Sequence, residues 1–252
     1  MEWLLLLAGA FLAGLIDAVV GGGGLVQLPL LLAVFPSVGI PILFGTNKIS
    51  SIAGTASSAW QYSRKVSISY RLALPASLAA LIGAASGAAV VSFLPNHALK
   101  PMVLVLLVVV GVYTWFKPEF GRRVVQRREW TWPRLLAVLL GFGLGFYDGF
   151  FGPGTGSFLI FGFVRLFGMD MLHASASAKL VNFATNLAAL VFFLSHDGVL
   201  WQVGLAMACA NIAGAQVGTW MAVRHGNAFI RWLLLTVVSV LAIKLAWDIF
   251  SH

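Results

Sequence analysis

Gly14-Leu15-Ile16-Asp17-Ala18-Val19-Val20-Gly21-Gly22-Gly23-Gly24 is an apolar run with one carboxylate, closed by four glycines. Shifted by 131 residues, it falls on Gly145-Phe146-Tyr147-Asp148-Gly149-Phe150-Phe151-Gly152-Pro153-Gly154-Thr155. Gly14, Asp17, Gly21 and Gly23 recur as Gly145, Asp148, Gly152 and Gly154. The same shift carries Lys48 onto Lys179, Gly83 and Gly87 onto Gly214 and Gly218, Thr46 onto Ser177, and Tyr70 onto Trp201. Chance likeness between apolar segments would match Leu and Val; it would not pair the Asp and Lys residues. The chain therefore carries an internal repeat, residues 1–116 and 135–252, joined by a basic stretch over 117–134.

The composition says where such a chain resides. Of its 252 residues, 60% are hydrophobic and 10% charged, against about 25% charged in a soluble domain. Ten apolar segments follow one another, at about 3–20, 25–35, 41–62, 72–94, 99–116, 135–152, 155–168, 173–195, 199–222 and 228–250. A helix needs about 20 residues to cross the ~30 Å hydrocarbon layer, and most of these qualify. The segments at 25–35 and 155–168 are too short, and each follows a glycine-rich break. They read as half-helices or re-entrant hairpins. The expected fold is an all-α polytopic membrane protein of about eight to ten hydrophobic helices, with short broken segments after glycine-rich turns.

Charge sets the expected orientation. Six of the sixteen basic residues lie in Lys117–Arg134, which fits a cytoplasmic loop beside anionic lipid rather than a nucleic-acid surface. Arg64, Lys65 and Arg71 mark a second cytoplasmic loop. Its counterpart, Ser195–Gln202, has no Lys or Arg, whereas Arg224 and Arg231 mark the counterpart of the outer turn near Pro95–Lys100. The charge bias flips between the halves, and five segments per half give the same inversion. Two inverted-topology repeats with both termini outside are expected. A short second segment that stops before the opposite face would move the N-terminus across.

In lipid, free backbone N–H and C=O groups cost several kcal/mol unless protein or a wet cavity satisfies them. Turns at Gly21-Gly22-Gly23-Gly24 and at Gly152, Gly154, Thr155 and Gly156 therefore mark a site. Glycine admits close approach of a ligand to backbone amides, and the half-helix that follows presents a positive dipole end. Both favour an anion. Gly83, Gly87, Gly214 and Gly218, spaced four apart, read instead as close helix packing. Lys48 lies among Thr46, Asn47 and Ser51; Lys179 lies beside Ser177 and Asn182. A lysine within an apolar helix must face a cavity or a partner, and a cation beside hydroxyl and amide donors suits a small oxyanion. A lysine snorkelling from a helix end is the plainer alternative. Asp17 and Asp148 have three readings: ion pairing with the lysines, proton coupling, or capping of the broken turn. The lone Cys209 excludes an intramolecular disulfide framework and a multi-cysteine metal site, and no cofactor is expected.

Together, the stretches from Gly14 to Gly24, Thr46-Asn47-Lys48 and Tyr147 to Ser157 resemble the TauE/SafE sulfite exporter family, over nearly the whole chain. The resemblance implies a multi-pass permease of the bacterial plasma (inner) membrane. Its substrate would be a small anion such as sulfite, sulfoacetate or another sulfur-containing or organic anion. The expected function is alternating-access transport of such a solute, with the lipid bilayer as surroundings and no nucleic-acid partner; a homo-oligomer is compatible. A passive channel is the competing reading. An intramembrane enzyme is the remote one, because no His-Glu-x-x-His motif is present and no histidine sits at depth beside Ser157. Asn47 corresponds to Ala178 and Gly22 to Pro153, so the site need not be symmetric.

Overall fold

The computed structural model describes residues 2–99, 101–103, 105–106, 109 and 131–250, with side chains given up to His225. The expected basic loop up to residue 130 and most of segment 99–116 lie outside the described residues. The described chain is α-helical, without strands. Its helices are α1 (Glu2–Val20), α2 (Gly24–Val34), α3 (Ile40–Lys65), α4 (Tyr70–Phe93), α5 (Pro133–Phe150), α6 (Thr155–Phe167), α7 (Met171–His196) and α8 (Trp201–Phe250). Three of them, α1, α4 and α7, are long and apolar enough to cross a membrane by length and composition.

Side-chain size is sorted as lipid requires. On α4 the small residues Ala73, Ala76, Ala80, Gly83, Ala84, Gly87 and Ala88 point inward. Leu74, Leu78, Ile82, Val90 and Phe93 are exposed, Phe93 by 84%. Lipid tails solvate leucine as well as a protein core does, so helices here associate through close backbone contact between small residues. A methyl built on Gly83 would lie 2.3 Å from the Phe142 carbonyl oxygen, and one on Gly149 only 1.9 Å from that of Ala84. Ala76, Ala80 and Ala84 meet Gly141, Gly145 and Gly149 in ascending order, so α4 and α5 run parallel.

The same contact recurs at the other end of the chain. Gly214 meets Phe11 and Leu15, Gly218 meets Leu15 and Ala18, and Gly14 meets Asn211. These pairs are the 131-residue counterparts of the Gly83, Gly87 and Gly145 contacts, with the halves exchanged. Helices α1 and α8 therefore also run parallel. Gly45 lies on Val199, Ile49 on Gly204 and Gly54 on Asn211, so α3 runs with α8 as well. By contrast α3 and α7 oppose each other. Thr46 near the start of α3 accepts from Leu200 N just after α7 (2.9 Å), and Ser177 near the start of α7 accepts from Ser69 N just after α3 (3.4 Å).

The two short helices double back. Along α2, Gly23 lies on Ala13 and Leu30 on Gly9, and Leu31 clusters with Leu6. Along α6, Phe158 meets Tyr147 edge to face and Gly162 sits on Leu140. Each short helix returns along the one before it, which makes α1–α2 and α5–α6 hairpins. At ~1.5 Å per residue, the 11 residues of α2 and 13 of α6 fall well short of ~30 Å.

One expectation is corrected. Segments 199–222 and 228–250 form a single 50-residue helix. The polar stretch Arg224-His225-Gly226-Asn227 suggested a break, but it contains no proline, and only proline both removes a helical hydrogen bond and clashes with the turn before it. At ~75 Å this helix is over twice the apolar thickness, so a single perpendicular span cannot use all of it.

The α4–α5 contact makes a clear prediction. Gly149→Val should force the two backbones apart and cost at least about 3 kcal/mol, seen as loss of the monodisperse peak and of a cooperative melt in detergent. Gly143→Ala, on the same helix with nothing within 4 Å of the new methyl, should behave as the parent protein does.

Candidate functional site

Lys48 is the ninth residue of α3 and Lys179 the ninth of α7, each helix having 26 residues. Neither lysine is near enough to a helix end to snorkel out. Both are buried, at 4% and 1% exposure. Buried ammonium groups need partners, and each finds one on the opposite half. Lys48 Nζ donates to Asp148 Oδ2 at 2.6 Å. Lys179 Nζ donates to Asp17 Oδ2 at 2.7 Å and also to the Asp17 carbonyl oxygen. Of the three sequence readings of the carboxylates, the ion pair is the arrangement seen. The N-termini of α2 and α6 carry no side-chain cap.

Each carboxylate sits in the last turn of its helix, Asp17 in α1 and Asp148 in α5. Helix carbonyls are unpaired there and the dipole end is negative. A carboxylate alone is unfavourable in that place, and an ammonium group offsets both the side chain and the dipole. The two pairs are also linked. Lys48 Nζ donates to Asn186 Oδ1 (3.0 Å), Asn186 Nδ2 to Thr55 Oγ1 (3.5 Å), and Thr55 Oγ1 to Asp17 Oδ2 (3.4 Å). Thr55 and Asn186 are themselves 131-residue counterparts, so the link crosses where the halves meet.

The glycine breaks form two elbows that touch. Gly21 and its counterpart Gly152 both have positive φ, 76° and 95°. Beyond that point they diverge: Gly154 is left-handed at φ 87°, while its counterpart Gly23 is right-handed at −56°. Gly21 lies so close to Gly156 that a methyl on Gly21 would be 2.2 Å from the Gly156 carbonyl carbon. Ser157 fastens the elbows, donating from its amide to Gly21 O (3.1 Å) and from its hydroxyl to Val20 O (2.6 Å). The Tyr147 hydroxyl donates to Pro153 O (2.7 Å), and that of Tyr62 to Ala18 O (3.1 Å).

Between elbows and ion pairs lies a cavity of ≈ 20 Å³, lined by Asp17, Gly21, Gly24, Asn47, Lys48 and Ser51 and by Asp148, Gly152, Gly154, Gly156, Asn182 and Asn186. That is room for about one water molecule. The Asn47 side-chain oxygen is buried there without a hydrogen-bond partner.

The structure thus brings together most of the residues expected from sequence, from both halves. Six lie outside the lining. Thr46 and Ser177 hold the backbone just ahead of α8 and α4, as described above. Thr155 bonds within its own elbow, to Gly152 O at 2.8 Å. Gly23 packs on Ala13 and Asp17, and Gly22 faces Ile16 and Ser157. Lys179 is sealed behind Asp17. Asn186, seven residues after Lys179, shares its face of α7, yet its side chain serves Lys48 of the other half. Gln27, fully buried and donating to Ser50 at 2.5 Å, carried no signal in the sequence beyond being polar in an apolar run. Among the described residues no group of His, Cys, Asp and Glu could hold a metal.

A family model described as sulfite exporter TauE/SafE matches residues 6–245. The chain belongs to the TauE/SafE family. It is 39% identical over 245 residues to "Probable membrane transporter protein ORF9" of Sinorhizobium sp, covering 96% of this chain and 92% of the relative. It is 34% identical over 240 residues to a "Probable membrane transporter protein" of Haemophilus influenzae, covering 94% and 92%. With "Probable membrane transporter protein YfcA" of Escherichia coli K12 it shares 33% identity over 243 residues, 96% of this chain and 88% of the relative. No solved structure gives a significant match.

Within this TauE/SafE chain, removing one partner of a buried ion pair strands the other charge, at a cost of about 3–5 kcal/mol. Lys48→Met should therefore melt well below the parent in detergent. Lys48→Met combined with Asp148→Leu should recover most of the loss, and a double-mutant cycle on the melting free energies measures the coupling.

Proposed function

We propose that this chain is a bacterial inner-membrane carrier that moves a small anion by alternating access between two inverted repeats. One observation carries the reading: two lysines are buried a third of the way along 26-residue helices, beside glycine elbows, and are neutralised by carboxylates of the opposite half. A cation kept at that depth is costly unless it works. An anion arriving at the elbows finds half-helix N-termini, a buried ammonium group and the amides of Asn47 and Asn182. In this structure aspartates occupy those cations. Substrate takes the place of a carboxylate, and the contacts that join the halves are rearranged around it.

Helix directions support the inverted arrangement. Helices α1, α3 and α8 run together, α4 runs with α5, and α3 opposes its equivalent α7, as inverted copies require. A hairpin that returns to its own side leaves the crossing parity unchanged, so α2 and α6 do not disturb that pattern. The parallel run of α4 and α5 also puts the basic Arg64–Arg71 loop and the start of α5 on one face, as a shared cytoplasmic side requires. The names of the family and of its relatives favour transport over enzymatic chemistry and make sulfite the first solute to test.

In vesicles containing purified protein, sulfite uptake should saturate with concentration, and Lys48→Ala should abolish it while the variant still inserts. Single-channel currents, or full flux through Lys48→Ala, would count against the carrier. Orientation is tested in a Cys209→Ala background. Cysteine at Ser67 should react with an impermeant maleimide only from the cytoplasmic side, and cysteine at Ser195, its near counterpart, only from outside.

A further inference from the structure

We propose that the carrier is coupled to protons: one monoanion travels with one proton, and Asp148 is the group that carries it. This inference rests on the anion-carrier reading above.

Asp17, Lys48 and Asp148 line the cavity, and Lys179 stands directly behind Asp17. Two ammonium and two carboxylate groups sum to zero. A monoanion drawn into that space makes the site negative at a depth where an uncompensated charge costs several kcal/mol. Among the described residues no further cationic side chain lines the cavity. The balance is restored if a carboxylate takes up a proton.

The geometry selects which one. Asp17 is held twice by Lys179, through carboxylate and carbonyl, and also accepts from Thr55. Lys179 does not face the cavity. Lys48 and Asp148 face it together; Asn47 lines it too, and its side-chain oxygen is buried without a partner. That amide, turned about, presents its N–H₂ group to an anion. Its counterpart in the second half is Ala178, so the receiving side is single.

An anion that pairs with Lys48 must displace Asp148. Among the described residues, the groups around the released carboxylate then offer no second positive charge. From α3 there is only Lys48, now occupied. From α7 there is Asn186, and on α5 itself Tyr147, whose hydroxyl is committed to Pro153. Beyond the Asn186–Thr55 link stands Asp17, of the wrong sign. The Asp148 carboxylate becomes a carboxylic acid by taking a proton from the aqueous side. Lys48 stays an ammonium group and exchanges one anionic partner for another. No electrons move. When the anion leaves, the proton leaves with it and the ion pair closes again.

The test uses the full-length protein in vesicles, with sulfite and methanesulfonate as probes; the second remains a monoanion at every pH used. For a probe that shows saturable flux, a proton gradient alone should drive accumulation, a lumenal pH dye should record one proton per methanesulfonate, and membrane voltage should have no effect. Asp148→Asn imitates the protonated group. It should lose gradient-driven accumulation, and whatever anion exchange it supports should no longer vary with pH. Asp148→Glu should keep coupling, and it stands in if the asparagine variant does not fold. Accumulation by Asp148→Asn under a proton gradient overturns the inference, as does flux that carries net charge or requires sodium. Saturable flux without proton movement sinks the coupling and leaves the carrier reading intact. If neither probe moves through the parent protein, the carrier reading and this inference fall together.

Discussion

An ammonium group within the apolar layer needs a negative partner, and this chain supplies each of its two from the other half. That demand organises the rest. Lys48 reaches Asp148 and Lys179 reaches Asp17 only if α3 and α7 lie side by side with their starts at opposite ends. This in turn requires α1 and α5 to bring their last turns to the same level. The elbows after those turns then meet, and the N-termini of α2 and α6 converge on one small space. Charge complementarity fixes the relative position of the halves; packing makes it rigid.

The packing itself is unusual for water and ordinary for lipid. Alanines and glycines lie between helices, leucines and phenylalanines lie outside. With no net hydrophobic pull between helices, close backbone approach is what holds them. The tightest seams, α4 on α5 and α1 on α8, each join one helix from either half. Hydrophobic clusters mix the halves too: Ile16, Val19 and Tyr62 pack with Phe163, Met171 and Ala222.

Much of this could be read from the residues alone. The repeat, the glycine breaks, the short helices and the two deep lysines all carry local signals, because lipid makes a buried charge or an unwound turn conspicuous in an apolar run. What could not be read was pairing. Asp17 sits close in sequence to its elbow, which made a capping role plausible, whereas its partner is 162 residues away. Thr46 and Ser177 looked like donors for an anion because they neighbour the lysines. One helical turn sets their direction, and they instead hold the segments leading into α8 and α4. Asn186 shared a helix face with the lysine it does not serve. The polar stretch after Val223 suggested a boundary where the helix continues, since polarity alone does not end a helix.

The exchange of contacts between Thr46 and Leu200, and between Ser177 and Ser69, joins the halves. Each half supplies what orients the other's helix, and the exchange is reciprocal, as between two identical subunits about a two-fold axis. Within one chain the two copies are free to differ, so Asn47 stands on one side and Ala178 on the other. Symmetry survives in the scaffold, and individuality has accumulated at the centre.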